Sequence, residues 1–229
     1  MKKHILVIGS SRGIGAELVK HFSNNGYKVT GVSRTYSPHC TWIETDISTA
    51  EGIESLLAKL GNKAIDAMIF SSAIWETYGF MDTFDFRKTS DKETRNIMDV
   101  NIVAPIEITK GVVKNLSLAS NPRAIYFGAL SGTKQKTSSQ VAYAASKFAL
   151  RGAIQALNVA LKEEGIGFTT INPANVATEE VLLDIKEGLF GQQVPIPMSD
   201  IISTIEWVLS LSSAVNIEDV NLMQRSAKK

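Results

Sequence analysis

The chain reads as an open α/β protein, a doubly wound parallel sheet flanked by helices, and three observations predict it. Short apolar, β-branched runs recur at Ile5 to Ile8, Lys28 to Ser33, Thr41 to Glu44, Ala67 to Phe70, Ala124 to Phe127 and Phe168 to Ile171. Amphipathic stretches of helical spacing fill the longer gaps, which suits strands that need a helical crossover to run parallel and cover on both faces. A length of 229 residues, 44% of them hydrophobic, can bury one sizeable core, so residues 1–229 are taken as a single domain.

The elements follow in order. Met1-Lys2-Lys3-His4 runs straight into the first strand, whose apolar stretch stops at Gly9, too short for a signal-peptide core. Gly13 to Asn25 carries Ile14, Leu18 and Phe22 at helical spacing and stops at Asn25-Gly26, while Ala50 to Leu60 stops at Gly61-Asn62. Thr89 to Ala119 is long, and Pro105 within it is expected to kink or divide the helix. Gln140 to Glu164 is rich in Ala, Leu and Lys and is closed by Gly165; Ser199 to Leu211 opens with Ser199 or Asp200 as its cap. Ser226-Ala227-Lys228-Lys229 is expected to fray.

Composition narrows the function. Lys plus Arg number 24 and Asp plus Glu 23, a net charge of +1, so no broad field draws in nucleic acid or a membrane surface. The one cysteine, Cys40, forms no intramolecular disulfide and suits a reducing cytoplasm. No apolar run approaches the roughly 20 residues of a spanning helix. His4, His21 and His39 are scattered, so no metal site is expected. The expectation is a soluble, cytoplasmic protein whose partners are small molecules and other copies of itself.

Gly9-Ser10-Ser11-Arg12-Gly13-Ile14-Gly15 lies where the first strand should turn into the first helix. Glycines there let the backbone approach a pyrophosphate at the helix N-terminus, the arrangement of a Rossmann-like dinucleotide site. The Gly-x-x-x-Gly-x-Gly spacing resembles the short-chain dehydrogenase/reductase family, with Ile8 in place of the usual threonine. At the end of the second strand an acidic side chain would hold the ribose hydroxyls; here stand Ser33 and Arg34, and Arg12 adds a second cation. NADP(H) is therefore expected rather than NAD(H). The resemblance further assigns Asp46 and Ile47 to the adenine, and Ser71, Ser72 and Ala73 to a close approach after the fourth strand.

Tyr143 and Lys147, four residues apart on a helix, project from one face about a turn apart. Carbonyl reduction needs a hydride on carbon and a proton on oxygen. A tyrosine whose pKa is ordinarily ~10 ionises more readily beside an ammonium, and Lys147 is also expected to hold the nicotinamide ribose. Tyr143-Ala144-Ala145-Ser146-Lys147 resembles the family's Tyr-x-Ala-Ser-Lys. By the same resemblance Asn101 supports a water-mediated proton path, and Asn172-Pro173-Ala174-Asn175-Val176-Ala177-Thr178 matches the segment that contacts the nicotinamide, through Pro173 and Thr178.

The pattern also breaks. Ala129 stands where the family has its substrate-orienting serine, and Ser131, twelve residues before Tyr143, is the substitute. Phe70 in an asparagine's column removes a polar tie, Ala174 replaces a glycine, and the resemblance weakens beyond residue 211. Val181, Leu182, Leu183, Leu189 and Phe190 are expected to form an apolar lid over a small carbonyl or alcohol substrate, opposite Trp75 and Tyr78. The expected activity is hydride transfer between NADP(H) and that substrate, in a homodimer or homotetramer; the alternative is a catalytically weak NADP(H)-binding regulatory or partner-binding protein.

Overall fold

The computed structural model describes residues 2–79, 81, 83–133, 138–189 and 193–225. Seven strands form one parallel sheet: β1 (His4–Ile8), β2 (Lys28–Ser33), β3 (Thr41–Glu44), β4 (Ala67–Phe70), β5 (Arg123–Phe127), β6 (Gly167–Pro173) and β7 (Asp219–Leu222), in the order β3-β2-β1-β4-β5-β6-β7. The helices are α1 (Gly13–Asn24), α2 (Ala50–Leu60), α3 (Asp91–Met98), α4 (Ala104–Leu116), α5 (Val141–Ala160), α6 (Glu179–Lys186) and α7 (Met198–Ser210).

The strand pleat sorts side chains into two cores. Leu6, Ile8, Met68, Phe70, Ala124 and Tyr126 face α2, α4 and α5. Their neighbours Ile5, Val7, Ala67, Ile69, Ile125 and Phe127 face α1 and α7, meeting Leu18, Phe22, Ile201 and Ile205. Both faces of the central strands β1, β4 and β5 are therefore buried, and those strands are almost continuously apolar for that reason. The winding reverses at β1, whose two neighbours are β2 and β4. That reversal leaves a crevice at the carboxyl ends of β1 and β4, the usual ligand position in such sheets.

Three points differ from expectation. As expected, the stretch from residue 89 to 119 divides: α3 and α4 meet at a π-helical turn, Asp99–Val103, with Pro105 in the first turn of α4. α5 ends at Ala160, and Lys162–Glu164 continues as a single 3-10 turn before Gly165 adopts a φ of 64°. Neither Ser199 nor Asp200 caps α7: Pro197 precedes it, and Asp200 lies in the first turn, near the positive end of the helix dipole. β7 was not foreseen, because Asp219-Val220-Asn221-Leu222 is short and half polar. It holds through Asn172, which donates to Asn221 at 3.0 Å, and through the ion pair of Arg151 with Asp219. Residues 226–229 and Phe190 lie outside the described residues.

Candidate active site

One cavity of about 790 Å³ runs along the carboxyl ends of the strands, from the turn after β1 to the start of α5. At its first end Gly9 and Gly13 adopt φ values of 89° and 54°. A Cβ on Gly15 would stand 1.9 Å from the Gly9 carbonyl oxygen, so α1 can sit this close to the turn only with glycine there. Arg12 occupies the cap position of α1 without a side-chain cap bond. The first-turn N–H groups of α1 are thereby left to face the cavity, which suits an anion such as a pyrophosphate.

Of the residues expected at this turn, Gly9, Ser11, Arg12, Gly13 and Ile14 line the cavity, whereas Ser10 and Gly15 do not. Ser10 is buried behind it, its hydroxyl 3.1 Å from that of Ser33 and its carbonyl accepting from Ser37 at 2.8 Å. Ser71, Ser72 and Ala73 line the opposite lip. The polar tie thought lost at Phe70 is present one residue on, since the Ser71 hydroxyl donates to the Ile8 carbonyl at 2.9 Å and the Ser72 N–H to the same oxygen at 3.0 Å.

Beyond the turn, Ser33, Arg34, Asp46 and Ile47 line the cavity together. The Ser33 hydroxyl is already engaged, donating to Thr35 at 2.7 Å and accepting from the Trp42 indole at 3.1 Å. Arg12 lies 3.5 Å from Glu180, both exposed, so it is not an uncommitted cation. Burial works against ionisation of Asp46, yet the Ser48 N–H and hydroxyl, with Arg34 beyond them, hold its carboxyl below the ordinary value.

At the other end α5 carries Tyr143 and Lys147 into the cavity. The Lys147 ammonium is fully buried, donates to the Phe127 carbonyl at 2.8 Å and lies 5.5 Å from the centre of the Tyr143 ring. Burial lowers its pKa to about 8. Tyr143 departs from the expected direction: burial first, then the carboxylate of Glu76, push its pKa up to about 12. The charge that acts on the phenol is thus that of Glu76 rather than that of Lys147.

Ser131 sits on a single 3-10 turn after β5, Leu130–Gly132; it lines the cavity, and its buried hydroxyl has no hydrogen-bond partner among the described residues. Ala129 lines the same wall. Asn101 is buried in the π turn and does not reach the cavity wall; its amide donates to the Ile74 carbonyl at 2.8 Å and to Ser146 at 3.0 Å, and accepts from the Ile74 N–H at 2.9 Å. Pro173 and Thr178 line the cavity, and the Thr178 hydroxyl caps α6 by accepting from Val181 at 3.4 Å. Of the expected lid, Val181 reaches the cavity, while Leu182, Leu183 and Leu189 are exposed and off its wall. Trp75 lines the cavity edge-on to Tyr143, ring centres 6.3 Å apart; Tyr78 does not reach it.

Sequence reasoning missed two residues here. Gln140, three positions before Tyr143, lines the cavity with a buried amide nitrogen that has no partner among the described residues. Its place one turn ahead of the tyrosine was a usable signal. Glu76 is buried beneath the start of α5 and accepts from the backbone N–H groups of Ala142 at 2.8 Å and Tyr143 at 3.4 Å. No local pattern marks it, because the contact spans 66 residues.

Fold and cavity define a nucleotide-binding α/β protein with a tyrosine and a lysine at the far end of its crevice. Residues 3–182 match the model of the short chain dehydrogenases, and the chain belongs to that oxidoreductase family. It is 28% identical over 205 residues to a short chain dehydrogenase of Penicillium brasilianum, covering 84% of this chain and 75% of the relative. Among solved structures, ElxO with NADP bound superimposes with a TM-score of 0.83 at 17% identity, covering 97% of this chain and 98% of that one. A 4-hydroxyisoleucine dehydrogenase complexed with NADH does so with a TM-score of 0.81 at 23% identity, over 100% of both chains. Among the described residues no helix is long and apolar enough to cross a membrane.

Proposed function

We propose that the chain transfers a hydride between NADP(H) and a small carbonyl or alcohol substrate. The observation that carries this reading is the continuity of one cavity from the uncapped N-terminus of α1 to Tyr143 and Lys147. When bound, the nicotinamide supplies or accepts the hydride. Gly9, Ser11, Gly13 and the first turn of α1 would hold the pyrophosphate, with Ser71, Ser72 and Ala73 as the facing lip. Asp46 and Ile47 would flank the adenine, Lys147 would hold the nicotinamide ribose, and Pro173 and Thr178 the carboxamide end.

Preference for the phosphorylated dinucleotide rests on Arg34 at the end of β2, where no carboxylate competes for ribose hydroxyls. Arg12 would join it on leaving Glu180. NADP bound to the structural neighbour ElxO supports this; the NADH in the 4-hydroxyisoleucine dehydrogenase makes it a point to measure.

Tyr143 is the proton donor in reduction, and its neutral form persists well above pH 7. The hydroxyl of Ser131 and the amide nitrogen of Gln140, without partners among the described residues, are the groups placed to meet substrate oxygens. Asn101 acts as a positioning residue that ties the loop after β4 to α5, a support for the proton path expected of it. Exposed Val103, Ile106, Val141, Phe148 and Val159 on α4, α5 and the turn before α4 support a homo-oligomer.

The test is NADPH oxidation across a panel of ketones, aldehydes and β-keto esters. Turnover should fall by about 10²- to 10⁴-fold in Tyr143→Phe while NADPH affinity stays within about twofold. Unchanged NADPH binding with no turnover of any carbonyl by the unmodified protein would replace this reading with that of a binding module.

A further inference from the structure

Glu76 is 1% exposed, in the loop after β4, and its carboxylate enters no ion pair among the described residues. One oxygen accepts from Ala142 and Tyr143 at the first turn of α5; the other is buried without a hydrogen-bond partner among the described residues. The supposed cap residue of that helix, Gln140, makes no side-chain cap bond, so Glu76 takes over the cap from 64 residues upstream. A carboxylate is a strong acceptor for the orphan N–H groups of a helix start, and the dipole there favours its charge.

We propose, building on the oxidoreductase reading, that Glu76 is a positioning residue that anchors the Tyr143 turn and keeps the phenol in its proton-donating form, setting the pH range over which the site can reduce a carbonyl. The geometry explains this role. A negative charge at the backbone of Tyr143, on a residue only 1% exposed, opposes a second negative charge on the phenol. The elevated phenol pKa, with Glu76 as the charge acting on it, agrees.

Among the described residues, other charged groups lie around Tyr143. Lys147 faces it from the same helix. Glu180 and Asp184 on α6 and Arg12, Arg34 and Asp46 at the far end line the same cavity. α3 and the π turn, packed against α5, bring Asp91, Lys92, Glu93, Arg95 and Asp99, of which Glu93 is held by Thr77 at 2.7 Å.

Glu76→Gln keeps the acceptor and removes the charge. The phenol then ionises at lower pH, so the alkaline fall of the reduction rate and the alkaline rise of the oxidation rate both move down by at least about 0.5 unit. A purely structural cap would lower both rates without moving either limb.

Independently of turnover, phenolate absorbance titrated with and without Tyr143→Phe reads this phenol directly in both backgrounds. If Glu76→Gln does not fold, Glu76→Asp, which draws the charge back by one methylene, should give a smaller shift of the same sign. Limbs and titration unmoved in a folded variant overturn the role of Glu76. A shifted titration in a protein that turns over no carbonyl leaves the role of Glu76 standing and overturns the oxidoreductase reading instead.

Discussion

The two ends of the cavity handle their polar groups in opposite ways. At the glycine turn they are satisfied within the protein: Ser10 with Ser33, Ser71 with Ile8, Asp46 with Ser48, Arg12 with Glu180. Around the start of α5, Glu76 Oε2, Ser131 Oγ and Gln140 Nε2 are buried without partners among the described residues, and Lys147 holds a buried charge against the Phe127 carbonyl. An unsatisfied buried polar atom costs about 1–3 kcal/mol. The first end is therefore a finished scaffold that offers backbone N–H groups, and the second carries unspent bonding capacity for whatever enters.

That contrast makes the two ends respond differently to substitution. The largest effect is expected at the scaffold. Gly15→Ala drives a methyl against the Gly9 carbonyl, and separating α1 from the turn should destabilise the fold by more than about 3 kcal/mol. Chemical unfolding and the NADPH-induced rise in Tm would read it, and a tolerated alanine that still binds would mean that the turn is pliable.

At the far end the sign reverses. The pKa of Lys147, lowered from 10.5 to about 8, means that burial favours its neutral form; the stability this confers is present above 10.5 and is lost as pH falls through about 8. Lys147→Met should therefore stabilise the cofactor-free protein at pH 7, on the order of 1–3 kcal/mol, and the gain should shrink towards pH 10. Urea melts at the two pH values test this; equal stabilities at pH 7 would show that the Phe127 hydrogen bond already offsets the buried charge.

The smallest effect belongs to the exposed rim. Arg34→Ala should weaken NADPH binding by about tenfold and leave NADH within about twofold, since a solvated guanidinium–phosphate contact is partly screened. Parallel titrations with both dinucleotides would show it. Equal losses for the two would remove Arg34 from phosphate recognition.

Much of the fold was legible because strand and helix periodicities are local. β2, β3 and β4 begin and end where the apolar runs do, and glycines or an asparagine mark the ends of α1 and α2. Legibility failed where partners are distant. β7 is polar on one face and is specified by Asn172 and Arg151, residues 47 and 68 positions away from Asp219. The π turn reflects Asn101 leaving its helix to bind the Ile74 backbone, 27 residues back.

The glycine turn and the Tyr143–Lys147 pair were determined by the sequence alone, because each needs only spacing along a single turn or helix. Tertiary structure decided their electrical state and neighbours. Ser33 is spent on Thr35 and Trp42, Arg12 is drawn to Glu180, and Glu76 and Gln140 converge on the tyrosine. Burial and charge at a point depend on every chain segment that meets there, and those segments lie far apart in sequence.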